Sequence, residues 1–242
     1  MKKVNKYFKT VKLELKEMEE LVQTTRSRSI ASYEMLLINR RSANRENQIA
    51  RFEEVLQACV CVESNGSGCI VDVDGEPMVL TNFHVAGKKG TIKFIMWNDG
   101  TYGAAKCTKL DKENDTAYME IIYSKKKYIP RVSLEPYEEQ KELIQIHNPY
   151  HWYNKNNKRL EYPDHFPFTC EKRLIEKRGD LFSHFATIDS SVFYGSSGSP
   201  FFSVDRNGIL GGVVGIHREF DEENDDFIGV MINASTIPKF KF

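Results

Sequence analysis

Apolar side chains near the start of the chain recur at three- and four-residue steps. These positions are Val4, Tyr7, Phe8, Val11, Leu15, Met18, Leu21 and Val22. The spacing places them on one face of a helix and predicts an amphipathic helix from about residue 5 to residue 23. Beyond a polar break, apolar patches at residues 33–38 and 49–56 predict further helix after Ser42.

The pattern changes at Ala58, where short runs of residues with high β propensity replace the helical spacing. The runs are residues 59–62, 69–73, 78–81 and 91–97. Asp74-Gly75 and Asn98-Asp99-Gly100 are typical of tight turns between such runs. Many short strands separated by turns of this kind predict an all-β sandwich or barrel.

The change of pattern divides the sequence into a helical N-terminal extension, residues 1–57, and a β domain, residues 58–242. Amphipathic helices in such an extension usually pack against the outside of the β body or cap its open edge. The alternative is an arm that binds a protein partner or mediates self-association. The pattern leaves both interpretations open.

Composition and charge exclude several classes of function. The chain has 242 residues, of which 40% are hydrophobic, so it can bury a sizeable core. Residues 1–57 hold 12 Lys and Arg against 8 Asp and Glu, and the remainder holds 22 against 26. A weakly basic N-terminal segment and a weakly acidic β domain do not provide the strongly basic patch that is typical of nucleic-acid binding. No apolar stretch approaches the length of a membrane span, so we expect neither nucleic acid nor membrane as a partner.

The N-terminus and the cysteines predict a cytoplasmic or otherwise intracellular protein. The lysines of residues 1–10 are not followed by the apolar core of a signal peptide. Five cysteines form an odd, scattered set without metal-ligand spacing: Cys59, Cys61, Cys69, Cys107 and Cys170. We expect reduced, mostly buried thiols, no metal and no cofactor.

The candidate chemistry is concentrated in the segment Gly195-Ser196-Ser197-Gly198-Ser199-Pro200. Glycines permit the positive φ values of a tight loop, whose successive N–H groups can converge on a developing negative charge. Ser197, at the apex, is the candidate nucleophile. Because a serine hydroxyl is a weak nucleophile at neutral pH, it needs a base and a group that orients the base.

Two other segments offer that base and that acid. His84 follows the apolar run of residues 78–80, which places its imidazole at the end of a strand, half shielded by apolar neighbours. Asp115 directly precedes the strand-like residues 116–122. Taken singly, each candidate has an ordinary alternative: Ser197 in a glycine–serine turn, a histidine in the core, and an aspartate that caps a strand.

In three motifs the chain resembles the chymotrypsin-like serine peptidases, in particular the branch of glutamyl endopeptidases and HtrA proteases. The motifs are Thr81-Asn82-Phe83-His84-Val85, Asp115-Thr116-Ala117 and residues 195–200, in the family's order. Residues 66–71, 214–217 and 228–233 extend the resemblance over roughly residues 57–242. One such motif would be weak, whereas all of them in register are strong.

The resemblance implies two six-stranded antiparallel Greek-key barrels with the active site in the cleft between them. The first barrel would span about residues 58–125 and the second about residues 140–242, with a solvated connector near residues 125–140. It also implies that the substrate is a polypeptide.

The resemblance further implies a catalytic triad of His84, Asp115 and Ser197. The backbone N–H groups of Gly195 and Ser197 would form the oxyanion hole. Asp111 is a rival for the acid, but the Asp-x-Ala pattern favours Asp115, and we assign Asp111 to a turn.

Four residues are candidates for the substrate pocket. His217 aligns with the histidine that glutamyl endopeptidases and picornaviral processing proteases use to bind a P1 Glu or Gln. The glutamyl enzymes also have a threonine five residues before the nucleophile, where this chain has Val192. Arg218 and Glu219 replace an aromatic residue and a glycine on the pocket wall. P1 Glu or Gln and a medium-to-large apolar P1 residue therefore both stay open.

Ser196 bears on activation. It stands where digestive relatives carry an aspartate that pairs with a newly cut N-terminus. We therefore expect the loop to form without cleavage, or to be switched by a partner or by the N-terminal helices.

Other interpretations of the motifs are weaker. His147 and His151 have a metal-like spacing, but Pro149 argues against the helix that would align them, and a turn is expected there. The nucleophile elbow of other hydrolases needs a glycine two positions after the serine, and Ser199 stands there. The alternative function is a protease-fold module that binds or scaffolds proteins with negligible turnover.

Overall fold

The computed structural model describes residues 45–63, 66–137, 142–147, 152–154, 159–161, 169–178, 181–186, 195–221 and 226–232. The helix predicted at residues 5–23 and the apolar patch at residues 33–38 lie outside these described residues. The chain is helical after Ser42, as expected, in helix α1 (Arg45–Ala58). Most of the remaining described residues form antiparallel strands, which confirms the predicted all-β class.

Six antiparallel strands close the first barrel. In chain order they are β1 (Cys59–Val62), β2 (Gly66–Val73), β3 (Glu76–Asn82), β4 (Ile92–Trp97), β5 (Tyr102–Asp111) and β6 (Thr116–Ser124). The ring order is β1-β2-β3-β6-β5-β4, and β4 pairs with β1 to close it. Asp74 and Gly75, at φ values of 54° and 88°, join β2 to β3. Positive φ at both positions is what a two-residue hairpin of type I′ requires, so the turn predicted there is confirmed.

In the part of the chain that the structure describes, eight further strands follow, and six of them close a second ring. They are β7 (Glu142–His147), β8 (Trp152–Asn154), β9 (Arg159–Glu161), β10 (Thr169–Arg178), β11 (Leu181–Ala186), β12 (Pro200–Val204), β13 (Leu210–Asp221) and β14 (Asp226–Met231). The ring order is β10-β11-β14-β13-β12-β7, and β8 pairs with β9 in a separate two-stranded sheet. The ring lies within the residues expected for the second barrel.

Helix α1 packs against the β body. Its buried side chains are Gln48, Phe52, Val55, Leu56 and Ala58. Phe52 is fully buried in an apolar cluster that includes residues of β2 in the first barrel and β13 in the second. The Arg51 Nε–H group donates to the carbonyl of Leu210 at 3.0 Å. Helix α1 and the β domain, on either side of the predicted boundary at residue 57, therefore share one apolar core. Residues 1–44 lie outside the described residues, and a partner-binding role for them stays a prediction.

Replacing Phe52 with alanine is expected to lower the free energy of unfolding by about 3–5 kcal/mol, because a fully buried ring is lost from this shared cluster. Urea denaturation followed by intrinsic fluorescence measures the change. Gln57→Ala, on the exposed face of the same helix, should alter the free energy of unfolding by less than about 0.5 kcal/mol. Equal losses for the two variants would contradict the packing role of α1.

The connector between the barrels differs from the solvated segment expected at residues 125–140. Val132 is buried, and its carbonyl accepts a hydrogen bond from the N–H of Asp72 on β2 at 2.8 Å. The N–H of Glu135 donates to the carbonyl of Val213 on β13 at 2.9 Å. The expectation is therefore wrong for this part of the connector, which pairs as short bridges with both barrels.

The described cysteines are buried free thiols: Cys59, Cys61, Cys69 and Cys107. Burial raises the pKa of the Cys61 and Cys69 thiols, so we expect neither to react as a thiolate. The Cys170 side chain lies outside the described ones. Within the residues that the structure describes, no helix has the length and apolar character needed to cross a bilayer. The intracellular location stays a prediction.

Candidate active site

Strand β3 and the short helix α2 (Phe83–Ala86) present His84 at the surface. Gly87, at φ 79°, ends the helix by donating its N–H to the carbonyl of Phe83 at 2.8 Å. Val85 packs into the first barrel, whereas the His84 side chain is 48% exposed. The imidazole therefore lies just after the end of a strand, where it can exchange a proton with a bound substrate.

Asp115 contacts His84 at two points. Its Oδ2 atom lies 2.6 Å from His84 Nδ1, and its Oδ1 atom accepts the His84 backbone N–H at 3.0 Å. The Asp115 backbone has φ 50° and is held by Asn82, whose side-chain amide donates to the Asp115 carbonyl at 3.0 Å. Because an ionised carboxylate only accepts hydrogen bonds, the Nδ1 atom carries the proton and Nε2 is left as the acceptor.

Asp111, the rival acid, is the last residue of β5, directly before the turn to β6. Its Oδ1 atom accepts the backbone N–H of Glu113 at 3.0 Å and that of Asn114 at 3.2 Å. The Asn114 side-chain amide also donates to Asp111 Oδ2 at 2.8 Å. Partial burial raises the pKa of Asp111, but the hydrogen bonds from the Asn114 side chain and from the two backbone N–H groups lower it overall. The carboxylate thus stabilises the turn, as expected, and Asp115 is the acid that contacts His84.

Ser197 lies in a tight turn before β12. The N–H of Ser199 donates to the Ser196 carbonyl at 2.9 Å, and Gly198 has φ 81°, as at the third position of a type II turn. Gly195, at φ 97°, starts this loop. Within the described part of the chain, the N–H groups of Gly195 and Ser197 donate to no backbone carbonyl. The oxyanion hole expected from these two N–H groups stays a prediction.

Ser67, on β2 of the first barrel, contacts this loop, which precedes β12 of the second barrel. Its N–H donates to the Ser197 carbonyl at 2.8 Å, and its hydroxyl donates to the Gly195 carbonyl at 2.7 Å. Thr81, three residues before His84, donates its hydroxyl to the Ser67 carbonyl at 2.7 Å. These contacts bring the loop with Ser197 beside the segment with His84. The only sequence signal for Ser67 was its place in the small-residue run of residues 66–71.

Replacing Gly198 with alanine is expected to lower the free energy of unfolding by about 2–4 kcal/mol. A Cβ atom there would lie 2.3 Å from both the Ser67 carbonyl oxygen and the Thr81 hydroxyl oxygen, at a φ of 81°. Gly75→Ala is the matched control, because Gly75 has φ 88° but no atom within 4 Å of its added Cβ, and it should cost about 1 kcal/mol. Urea denaturation compares the two, and an equal loss would show that the close approach at Gly198 does not matter.

The candidate pocket residues lie on β13 where the structure describes them. His217 is buried, its carbonyl accepts the N–H of Gly198, and its N–H donates to the Ser199 carbonyl, each at 2.9 Å. The Nε atom of Arg218 lies 2.9 Å from Glu219 Oε1 in an ion-pair contact, and both side chains are partly exposed. Val192 lies outside the described residues. Strand β13 thus runs directly beside the nucleophile loop, residues 195–199, which bears Ser197. The four pocket assignments stay predictions.

Strand β7 supplies two buried polar side chains, Gln145 and His147, that no sequence motif marks as part of the site. Gln145 donates from Nε2 to the Ser199 hydroxyl at 2.7 Å, and His147 Nδ1 lies 2.7 Å from the Ser196 hydroxyl oxygen. A turn was expected at His147, but it is the last residue of β7. Among the described residues, no group of three or more His, Cys, Asp or Glu side chains is arranged to hold a metal ion.

Comparisons with known proteins agree with this architecture. The family model of the trypsin-like peptidase domain matches residues 66–216. The solved serine endoprotease from Yersinia pestis is 21% identical with a TM-score of 0.52, over 76% of this chain and 61% of that one. The HtrA-type protease AlgW, solved with a tripeptide, is 19% identical with a TM-score of 0.53, over 75% and 58%. The serine protease of human pathogenic astrovirus is 15% identical with a TM-score of 0.51, over 76% and 94%.

These similarities to solved structures show the fold. This chain spans only about three fifths of the length of the first two proteases, 61% and 58% respectively. No match is found among curated proteins.

Proposed function

We propose that this chain, which belongs to the trypsin-like peptidase family, hydrolyses polypeptides with Ser197 as nucleophile, His84 as general base and Asp115 as the acid that orients His84. The family match confirms the predicted resemblance to chymotrypsin-like serine peptidases, and it supports the proposed activity of a serine endopeptidase. The observation that supports the triad is the two-point contact between Asp115 and His84, next to the loop that bears Ser197. The proposal requires the Ser197 hydroxyl to come within about 3 Å of His84 Nε2 during the reaction.

In the acylation step, His84 Nε2 removes the hydroxyl proton as the Ser197 oxygen bonds to the substrate carbonyl carbon. The negative charge that develops on the carbonyl oxygen is bound by the N–H groups of Gly195 and Ser197, each contributing about 3 kcal/mol. His84 then protonates the leaving amine as the carbon–nitrogen bond breaks. In deacylation His84 Nε2 removes a proton from a water molecule as the water oxygen bonds to the acyl carbon. The bond between that carbon and the Ser197 oxygen then breaks, His84 returns the proton to Ser197, and the second product is released as a carboxylic acid.

Asp115 has two tasks in this cycle. Its Oδ2 atom fixes the proton on His84 Nδ1, so that Nε2 faces the substrate side as an acceptor. When His84 takes up a second proton, the buried carboxylate stabilises the imidazolium that results. Its contact with the His84 backbone N–H keeps the carboxylate in place through both steps.

The substrate pocket of this proposal is built around β13. His217 can donate a hydrogen bond to a P1 Glu or Gln, whereas Val192 suits an apolar P1 residue. Arg218 and Glu219 would then contact the substrate backbone or form the rim of the pocket. A peptide-library cleavage profile separates the two classes of P1 residue, since enrichment of Glu and Gln at P1 requires a hydrogen-bonding pocket.

A fluorophosphonate probe tests the proposed chemistry, because it forms a covalent bond only with a serine activated by its surroundings. We expect one probe molecule per chain, attached to the peptide that contains Ser197 when the labelled protein is digested and analysed by mass spectrometry. Denatured protein should not be labelled. Attachment to a different serine, or no labelling of the folded protein, would overturn the proposal.

A further inference from the structure

The residue before the candidate nucleophile is held from inside the second barrel. The side chain of Ser196 is buried, and its hydroxyl oxygen lies 2.7 Å from Nδ1 of His147. His147 is itself fully buried at the end of β7. The two residues are separated by 49 positions in the sequence, so the contact forms only when the barrel closes.

The same strand holds the loop at a second point. Gln145 lies two positions before His147, and residues two apart on a strand face the same side. Its side-chain amide donates to the hydroxyl of Ser199 at 2.7 Å, and Gln145 is fully buried. Strand β7 therefore holds the serines on either side of the Ser197–Gly198 pair, while Ser67 holds the loop from the first barrel.

The Ser196 contact bears directly on the proposed oxyanion hole. The N–H of Ser197 belongs to the peptide unit that joins Ser196 to Ser197, so a fixed Ser196 side chain restricts the rotation of that unit. A buried hydroxyl and a buried imidazole are costly to separate, because each loses a hydrogen bond at a position shielded from bulk solvent. Rotation of this peptide unit away from its donor orientation would also break the hydrogen bond that the Ser196 carbonyl, which belongs to the same unit, accepts from the Ser199 N–H at 2.9 Å.

We propose that His147 is a positioning residue that acts through Ser196 to keep the Ser197 N–H directed at the substrate oxyanion. This inference rests on the proposed function of the site. The hydroxyl of Ser196, the residue before the nucleophile, is held by His147 of the same barrel. The loop therefore reaches its conformation when the chain folds. No newly formed N-terminus or other incoming cation is needed to order it.

The test compares turnover per active site in variants of the full chain. Active sites are first counted by titration to completion with the fluorophosphonate probe. Ser196→Ala and His147→Leu should each lower kcat per titrated site by about 10–100-fold with KM nearly unchanged, since an oxyanion donor acts mainly in the transition state. The double variant should be no slower than the single variants, because both act through one contact. His147→Asn, which places an amide nitrogen near the position of Nδ1, should recover most of the loss.

Ser203→Ala is the matched control. Ser203 is a buried serine of the same barrel, and its hydroxyl donates to Glu135 Oε2 at 2.8 Å, away from the nucleophile loop. Its turnover per titrated site should equal that of the wild type. A purely structural role for His147 would lower stability and the number of titratable sites but leave kcat per site unchanged, and that result would overturn the inference. Equal losses in the control would overturn it as well. A wild-type chain without any titratable site would instead reject the proposed function itself.

Discussion

Replacing Ser197 with alanine should lower kcat/KM for a peptide substrate by about a million-fold, to the level left by substrate binding and the oxyanion hole. The variant lacks the oxygen that forms the acyl-enzyme, so His84 has no nucleophile hydroxyl to deprotonate. The loss should lie in kcat, because the pocket and the loop backbone do not change. Initial rates with a fluorogenic peptide, together with the failure of the fluorophosphonate probe to react, measure it.

The fold of this variant should be intact. The contacts that hold the loop come from the Ser197 backbone carbonyl and from the neighbouring residues, not from the Ser197 hydroxyl. The free energy of unfolding should therefore change by less than about 0.5 kcal/mol. Hydrolysis that survives in Ser197→Ala, with purity confirmed by mass spectrometry, would assign the activity to another residue or to a contaminant.

The second large effect is expected for Asp115→Asn, which should lower kcat by about 10⁴-fold. Asparagine can occupy the same space, and it tolerates the left-handed backbone of Asp115, at φ 50°, better than most residues do. Its amide group, however, would offer an N–H to His84 Nδ1 or to the His84 backbone N–H. The imidazole would then be held in the wrong tautomer, without a carboxylate to stabilise its protonated form. Steady-state kinetics near neutral pH measure the loss.

Asp111→Asn is the control for this experiment, because Asp111 is the other aspartate at the end of the same hairpin. Its carboxylate accepts hydrogen bonds from turn amides and does not contact His84. We expect activity within about threefold of the wild type, with a loss of stability of about 1 kcal/mol from the weakened turn. A greater loss of turnover in Asp111→Asn than in Asp115→Asn would reverse the assignment of the acid.

The parts of the site that the sequence predicts are those with a local signal. His84 is marked by its position after an apolar strand, Asp115 by its position before one, and Ser197 by the glycines around it. The strand ends and the Asp74-Gly75 hairpin follow from residues that are adjacent in the chain. No local signal pairs His84 with Asp115, and that pairing is predicted only by the resemblance of the motifs to one family.

Contacts that form on barrel closure have no such local signal. Gln145 lies 54 positions from Ser199, and Ser67 lies 128 positions from Gly195. Both are polar residues on strands, and their partners depend on the ring order of the strands. Helix α1 illustrates the same limit, because its amphipathic pattern predicts an apolar face but does not identify the surface that covers it.

If the proposed activity holds, the bridges made by residues 132–135 affect which proteins can be cleaved. Since the linking segment is hydrogen-bonded to β2 on one side and to β13 on the other, we expect hinge motion between the two barrels to be restricted. A target protein must then present an already extended segment or unfold locally to offer one, so the local stability of the target, rather than motion of the protease, would decide where cleavage occurs.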